Sequence, residues 1–144
     1  MNPLGITLTV AAGTAVAGTV AGAVALMLGG TFVKEKFIAP NTLGDGAVWD
    51  VAFSKDPEQK YLFLADGKNE KIYVMLRESL EVLTTFGAGG RQPGQFFAVH
   101  SIALDSKGNL YTVETYEGRR LQKFVYKGLA PVTKFDQGTV WPGR

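Results

Sequence analysis

"VWDVAFSKDPEQKYLFLADG" at Val48–Gly67 and "VHSIALDSKGNLYTVETYEG" at Val99–Gly118 decide how this chain is read, because they are two versions of one pattern. Val48, Val51 and Phe53 align with Val99, Ile102 and Leu104, the apolar positions of a first strand. Leu62, Phe63 and Ala65 align with Leu110, Tyr111 and Val113, a second strand ending in a carboxylate, Asp66 or Glu114. "SKDPEQK" and the shorter "DSKGN" join these strands. Asp-Pro in one and Gly-Asn in the other supply turn chemistry. Lys71-Ile72 and Arg120-Leu121 open a third strand. "EVLTTFG" at Glu81–Gly87, rich in β-branched and aromatic residues, reads as a fourth. The spacing between copies falls from 51 residues (Val48 to Val99) to 48 (Asp66 to Glu114), as the shorter second hairpin requires.

Four short antiparallel strands in about 40–50 residues make one blade of a β-propeller. The pattern predicts an all-β region, with a partial strand over 31–40, a blade over 47–88 and a blade over 97–136. "APVTKFD" at Ala130–Asp136 is the candidate fourth strand of the last blade. That makes about two and a quarter blades, where closed propellers use about four to eight. Open flanks would leave apolar blade faces in water. Three resolutions follow: copies self-associate into a ring, a protein partner completes the propeller, or the chain is a truncated product of a longer gene.

The rest of the chain is different in kind. No charged residue occurs from Pro3 to Val33, and Ala, Gly, Thr and Val dominate. Val10–Leu28 is long enough to cross a bilayer as a helix, which takes about 20 apolar residues. Gly18 and Gly22 form the GxxxG spacing that brings membrane helices together. Residues 1–30 are therefore expected to be a helical membrane anchor, with membrane contact over residues 5–33. A cleaved signal, a buried soluble segment and an unselected run joined to a truncated gene stay open. The signal reading has "AVA" at Ala23–Ala25 in its favour and no basic residue at the start against it. Lys34 and Lys36, beside Glu35, place the C-terminal side in the cytoplasm by the positive-inside rule.

Composition narrows the chemistry. The chain has 144 residues, 15 Lys+Arg against 13 Asp+Glu, and a net charge of +2, which gives no nucleic-acid signal. It has no cysteine, which removes thiolate chemistry, and one histidine, His100. Gly87, Gly89 and Gly90 evoke a phosphate loop, but Gln92 stands where the third glycine of GxGxxG belongs. Arg119, Arg120, Lys123 and Lys127 cluster with Tyr116, Phe124 and Tyr126; Glu114 and Glu117 dilute the charge, and a solvated edge is the expected reading. Asp66 and Glu114 suit general acid–base work. They suit equally the capping of the turns that follow them.

"GQFFAVHSIALDSKGNLYTVETYEGRRLQKF" resembles an NHL repeat. Ile102–Asp105, Gly108-Asn109, Leu110–Glu114 and Arg120–Phe124 carry the likeness, and the first copy matches more loosely through Leu62–Asp66, Asn69 and Lys71-Ile72. Within that superfamily the chain is similar to the bacterial branch that resembles peptidyl-α-hydroxyglycine α-amidating lyases. The resemblance implies histidines that converge on a central channel and hold zinc, and "AVHSIALD" puts His100 in such a place. It also implies a periplasmic or extracellular location, opposite to the vote of the lysines. Trp49 occupies the matching position of the first copy, so no repeated ligand pattern exists, and zinc would need ligands from other chains. Trp49, His100, Asp66, Glu114 and Arg120 are the channel-facing or ligand-binding candidates. No catalytic triad, cysteine nucleophile or P-loop accompanies them. The expected function is a membrane-anchored binding or scaffold module; the alternative is a remnant or subunit of a metal-dependent lyase.

Overall fold

The computed structural model describes residues 6–7, 23–28 and 31–138. The described residues are all-β and hold no α-helix. They divide into two compact units, Met1–Ala47 and Val48–Arg144.

In the first unit, β1 (Ile6–Thr7), β2 (Ala23–Leu28) and β3 (Thr31–Phe37) form an antiparallel sheet in chain order. The end of the apolar segment expected to be a membrane helix is thus strand β2. The stretch 8–22, which carries most of that expectation, lies outside the described residues. Among the described residues, no helix is long and apolar enough to cross a membrane.

The second unit contains the two repeat copies. β4 (Val48–Phe53), β5 (Tyr61–Asp66), β6 (Lys71–Leu76) and β7 (Val82–Phe86) form a four-stranded antiparallel meander. β8 (Val99–Leu104), β9 (Leu110–Glu114) and β10 (Leu121–Phe124) form a three-stranded one. Short-range polar chemistry sets the hairpins. The Asp56 carboxylate accepts from Lys60 N at 3.1 Å and from the Ser54 hydroxyl, which itself accepts from Tyr61 N at 2.9 Å. In the second copy Asp105 accepts from Lys107 N and Asn109 N, both at 2.9 Å, and from Asn109 Nδ2 at 2.8 Å. The Asn109 side chain leads in holding the Asp105 carboxyl down at about 2.

The two sheets share one register. Ala65 pairs with Asp50 and Ile72, as Val113 pairs with Ser101 and Leu121. Phe63 pairs with Ala52 and Val74, as Tyr111 pairs with Ala103 and Lys123. Even the irregularity repeats: the register shifts between Val48 and Asp50, and again between Val99 and Ser101. Trp49 and His100 are therefore the extra residues of two equivalent bulges.

Because side chains alternate across a strand, register decides what packs. The first sheet presents Ala52, Phe63, Ala65 and Ile72 to the second, which answers with Val99, Ile102, Leu110 and Phe124 around Phe96. Phe86, Phe96 and Phe124 meet at ring-centroid distances of 5.4 to 6.3 Å. Gly87 makes the turn beneath them, with φ of +98°; a Cβ there would lie 2.3 Å from the Phe96 ring. A side chain at this position is excluded twice, by backbone and by space.

The expected fourth strand of the second copy does not join β10. Ala130–Asp136 has no strand structure beside that sheet, and its end runs instead along β7 of the first. Thr85 N donates to Phe135 O at 2.7 Å, Gln137 N donates to Thr85 O at 2.9 Å, and the Thr84 hydroxyl donates to Phe135 O at 2.9 Å. Lys71 pairs with Asp136. An exposed strand edge is a row of unpaired donors and acceptors; the tail satisfies that edge at Thr85 and Gly87, while the outer edge of β10 takes no strand among the described residues.

One side chain ties the two sheets at their inner strands. Asp50 Oδ2 accepts from Ser101 Oγ at 2.7 Å and from Ile102 N at 2.8 Å. Asp50→Ala strands a main-chain donor at the junction, and bonds to a charged acceptor contribute about 1.5–3 kcal/mol. The expected result is a urea midpoint lowered by a stability loss of about 2–3 kcal/mol, with Asp50→Asn recovering part of it. An unchanged midpoint for the alanine variant would show that the junction does not depend on this carboxylate.

Candidate functional site

A bulge turns its extra residue out of the ladder and re-aims the side chain. The paired bulges do this to Trp49 and His100 on adjacent inner strands. Their rings meet edge to face at 5.6 Å between centroids. His100 is exposed and Trp49 half-buried. Trp49 lies flat over Gly67, where a Cβ would stand 2.2 Å from the indole. The structure therefore brings four of the five sequence candidates together as two pairs: Trp49 with His100, by backbone irregularity, and Glu114 with Arg120, by an ion pair.

Asp66, Glu114 and Arg120 do different work. Asp66 is fully buried and holds the β5–β6 turn: Asn69 N donates to Oδ1 and Asn69 Nδ2 to Oδ2, each at 2.8 Å. Burial pushes its carboxyl above the usual 3.8, against the pull of the Asn69 bonds and of a hydrogen bond from Tyr73. The Tyr73 hydroxyl is pushed up to about 12, first by burial and then by the charge of Asp66.

Glu114, at the equivalent place, has a side chain only 1% exposed. Its Oε1 accepts from Arg120 Nη2 at 2.7 Å, Arg120 Nε at 3.1 Å and Gln122 Nε2 at 2.9 Å. Arg120 continues outward, donating to the carbonyls of Arg91 at 2.6 Å and Gln95 at 2.8 Å. It thus pins the glycine-rich loop between β7 and β8. Glu114 Oε2 and Thr112 Oγ1 are buried without a hydrogen-bond partner among the described residues. Glu70 shares this region: burial first, then the charge of Glu114, raises its carboxyl above 4.5.

Tyr73 and Gln122 are residues that sequence reasoning missed. Each occupies the same register position on the third strand and reaches the repeat's carboxylate. The signal was present in the alignment, one residue after the matched Ile72 and Leu121, but Tyr and Gln share no obvious chemistry.

Among the described residues no group of three His, Cys, Asp or Glu side chains could hold a metal. His100 meets Trp49 edge to face, and among the described residues no further His, Cys, Asp or Glu side chains group with it into a zinc ligand set. Asp66, Glu114 and Arg120 each hold a turn or loop through several bonds. Among the five candidates, His100 is the one that is exposed and holds no turn or loop through a side-chain hydrogen bond among the described residues. No protein-family model matches the chain, and no curated protein matches it.

The Glu114 cluster gives a direct test. Glu114→Ala removes the acceptor for a mostly buried guanidinium and an amide. The expected stability loss is about 2–3 kcal/mol, the scale of bonds to charged partners, read as a shift in urea midpoint. Glu114→Gln, which keeps one carbonyl oxygen, is expected to lose less. Equal midpoints for all three proteins would remove Glu114 from the folding role described.

Proposed function

We propose that the second unit is part of an NHL-type β-propeller and acts as a binding or scaffold module. The observation that carries this reading is the identity of register between the two sheets, down to the matching bulge. Two sheets built to one plan, with their inner strands side by side, are what consecutive propeller blades require. The Trp49–His100 pair, with His100 exposed and Trp49 half-buried, supports a ligand-facing role: an indole offers apolar area and imidazole a hydrogen bond or proton.

The experiment is the mass of the full-length, detergent-solubilised protein by light scattering, with zinc measured on the same sample. The expected result is a metal-free preparation that leaves a peptidyl-α-hydroxyglycine uncleaved. Stoichiometric zinc that disappears in His100→Ala, together with lyase turnover, would replace the binding reading with that of an assembled amidating-lyase-like enzyme.

A membrane location belongs to this proposal, on the strength of the uncharged run from Pro3 to Val33. Alkaline carbonate extraction of membranes from expressing cells tests it. Retention in the pellet is expected, and release to the supernatant would remove the anchor.

A further inference from the structure

The offset of 49 residues that carries Ile72 to Leu121 also carries the last strand of the first sheet onto the tail. It sets "RESLEVLTTFG" at Arg77–Gly87 over "YKGLAPVTKFD" at Tyr126–Asp136. Leu80, Thr84 and Phe86 meet their own kind in Leu129, Thr133 and Phe135, and Leu83 meets Val132. Pro131 matches Val82, the first residue of β7, and the first position of a strand tolerates proline. The tail therefore carries the pattern of a fourth strand for the second sheet, in register for the outer edge of β10. The structure has it on the outer edge of β7 instead.

Its seat on β7 is polar and shallow. Thr85 N donates to Phe135 O at 2.7 Å, Gln137 N to Thr85 O at 2.9 Å, and Gln137 Nε2 to the Thr84 hydroxyl at 3.1 Å. The matching apolar side chains are not buried there. Leu80 is 1% exposed and Leu129 71%. Phe135 and Leu121 are each 63% exposed. Their counterparts Phe86 and Ile72 face each other across β7 and β6, half-buried and buried. A segment with few buried apolar contacts belongs to the least stable part of a fold.

We propose that residues 130–136 are an exchangeable strand, held on β7 in this structure and able to pair antiparallel with β10, in the register that sets Phe135 opposite Leu121. The connection has the length for it: Tyr126–Ala130 matches Arg77–Glu81, the residues that join β6 to β7. Pairing with β10 gives that edge a ladder and sets Phe135 against Leu121, as Phe86 lies against Ile72. It also releases the bonds at Thr84, Thr85 and Gln137 and leaves the edge of β7 unpaired. Each position satisfies one edge and opens the other. The two are therefore alternatives, and a change in the polar contacts at β7 shifts the population between them.

The test uses the full chain, which has no cysteine of its own. Leu121→Cys with Phe135→Cys puts thiols at two exposed positions that become cross-strand partners when the tail lies on β10. Under mild oxidation the folded protein is expected to form this disulfide within one chain. Thr84→Val removes the hydroxyl that donates to Phe135 O, and is expected to speed the cross-link about five- to tenfold. Lys134→Cys in place of Phe135→Cys puts the thiol on the opposite face of the strand, and is expected to react about tenfold more slowly. Amide exchange gives a second reading without cysteines: in Thr84→Val, Gln137 loses protection while the amides of β10 gain it. Equal rates for the two cysteine pairs mark a loose tail and overturn the exchange. So do a missing disulfide in the Thr84→Val background, a disulfide formed only between two copies, and loss of protection at Gln137 with no gain at β10. Each of these leaves the matched registers of the two sheets, on which the propeller reading stands, unchanged.

Discussion

The arrangement of the second unit depends on a carboxylate that sits in the middle of an apolar strand. Asp50 accepts from its own neighbour Val51 N at 2.8 Å through Oδ1, and from Ser101 Oγ and Ile102 N through Oδ2. A partly buried carboxylate is costly unless its lone pairs are occupied, and these donors come from two strands of two different sheets. The constraint is directional. Hydrophobic contact alone would let β4 and β8 slide by a pair of residues, since apolar side chains recur along both. A bond to one particular main-chain amide, Ile102 N, does not permit that slip. Once β4 and β8 are locked, the bulges at Trp49 and His100 come side by side, and the inner face of each sheet is fixed.

The remaining polar groups act one level down, within each copy. Asp66 and Glu114 begin as equivalents and solve the same problem differently. Asp66 is short, reaches the amide of Asn69, and closes a tight turn. Glu114 is one methylene longer and precedes a turn one residue longer, so it reaches past the turn to Arg120 and Gln122. The cost of that reach is a carboxylate oxygen buried without a partner among the described residues, in a region where Glu70 is also pushed toward its neutral form. Arg120 offsets it by tying the β7–β8 loop to the same carboxylate, so one ion pair serves both the turn and the connection between the sheets.

Much of the second unit was legible because it is written twice. The strands from Val48 to Phe124 and the Gly108-Asn109 turn follow from the matched positions, and each copy supports the other. Where the copies differ, sequence lost its hold. Asp50 aligns with Ser101, so the residue that joins the sheets looks like a mismatch; a lone acid in an apolar strand was the available signal. The bulges leave no trace in hydrophobic alternation, because an extra residue at the start of a strand shifts nothing before it. The segment Ala130–Asp136 has a pattern that fits the edge of either sheet. Which edge it takes is set by Thr84 and Thr85, about fifty residues away, and by the Lys71–Asp136 pair. No local reading contains that information.

The tail and the open sheet are two consequences of one asymmetry. Among the described residues, the outer face and outer edge of β8–β10 lack the neighbours that the first sheet has. This chain resolves the edge for the first sheet by sending its tail backward to β7, and in doing so it withholds a fourth strand from the second. The second sheet is thereby left narrower, with no strand on the outer edge of β10 among the described residues and Leu121 in water, while Val99, Ile102 and Leu110 of its inward face are buried. If the tail had continued beside β10, the sheet would have gained a strand, and the edge of β7 would have been left open. Hydrogen-bond satisfaction at the inner sheet and coverage of the outer one compete for the same few residues, and the polar contacts of Thr84, Thr85 and Gln137 decide the outcome in favour of the first. The exposure of the β8–β10 face is thus the other side of how the first sheet is completed.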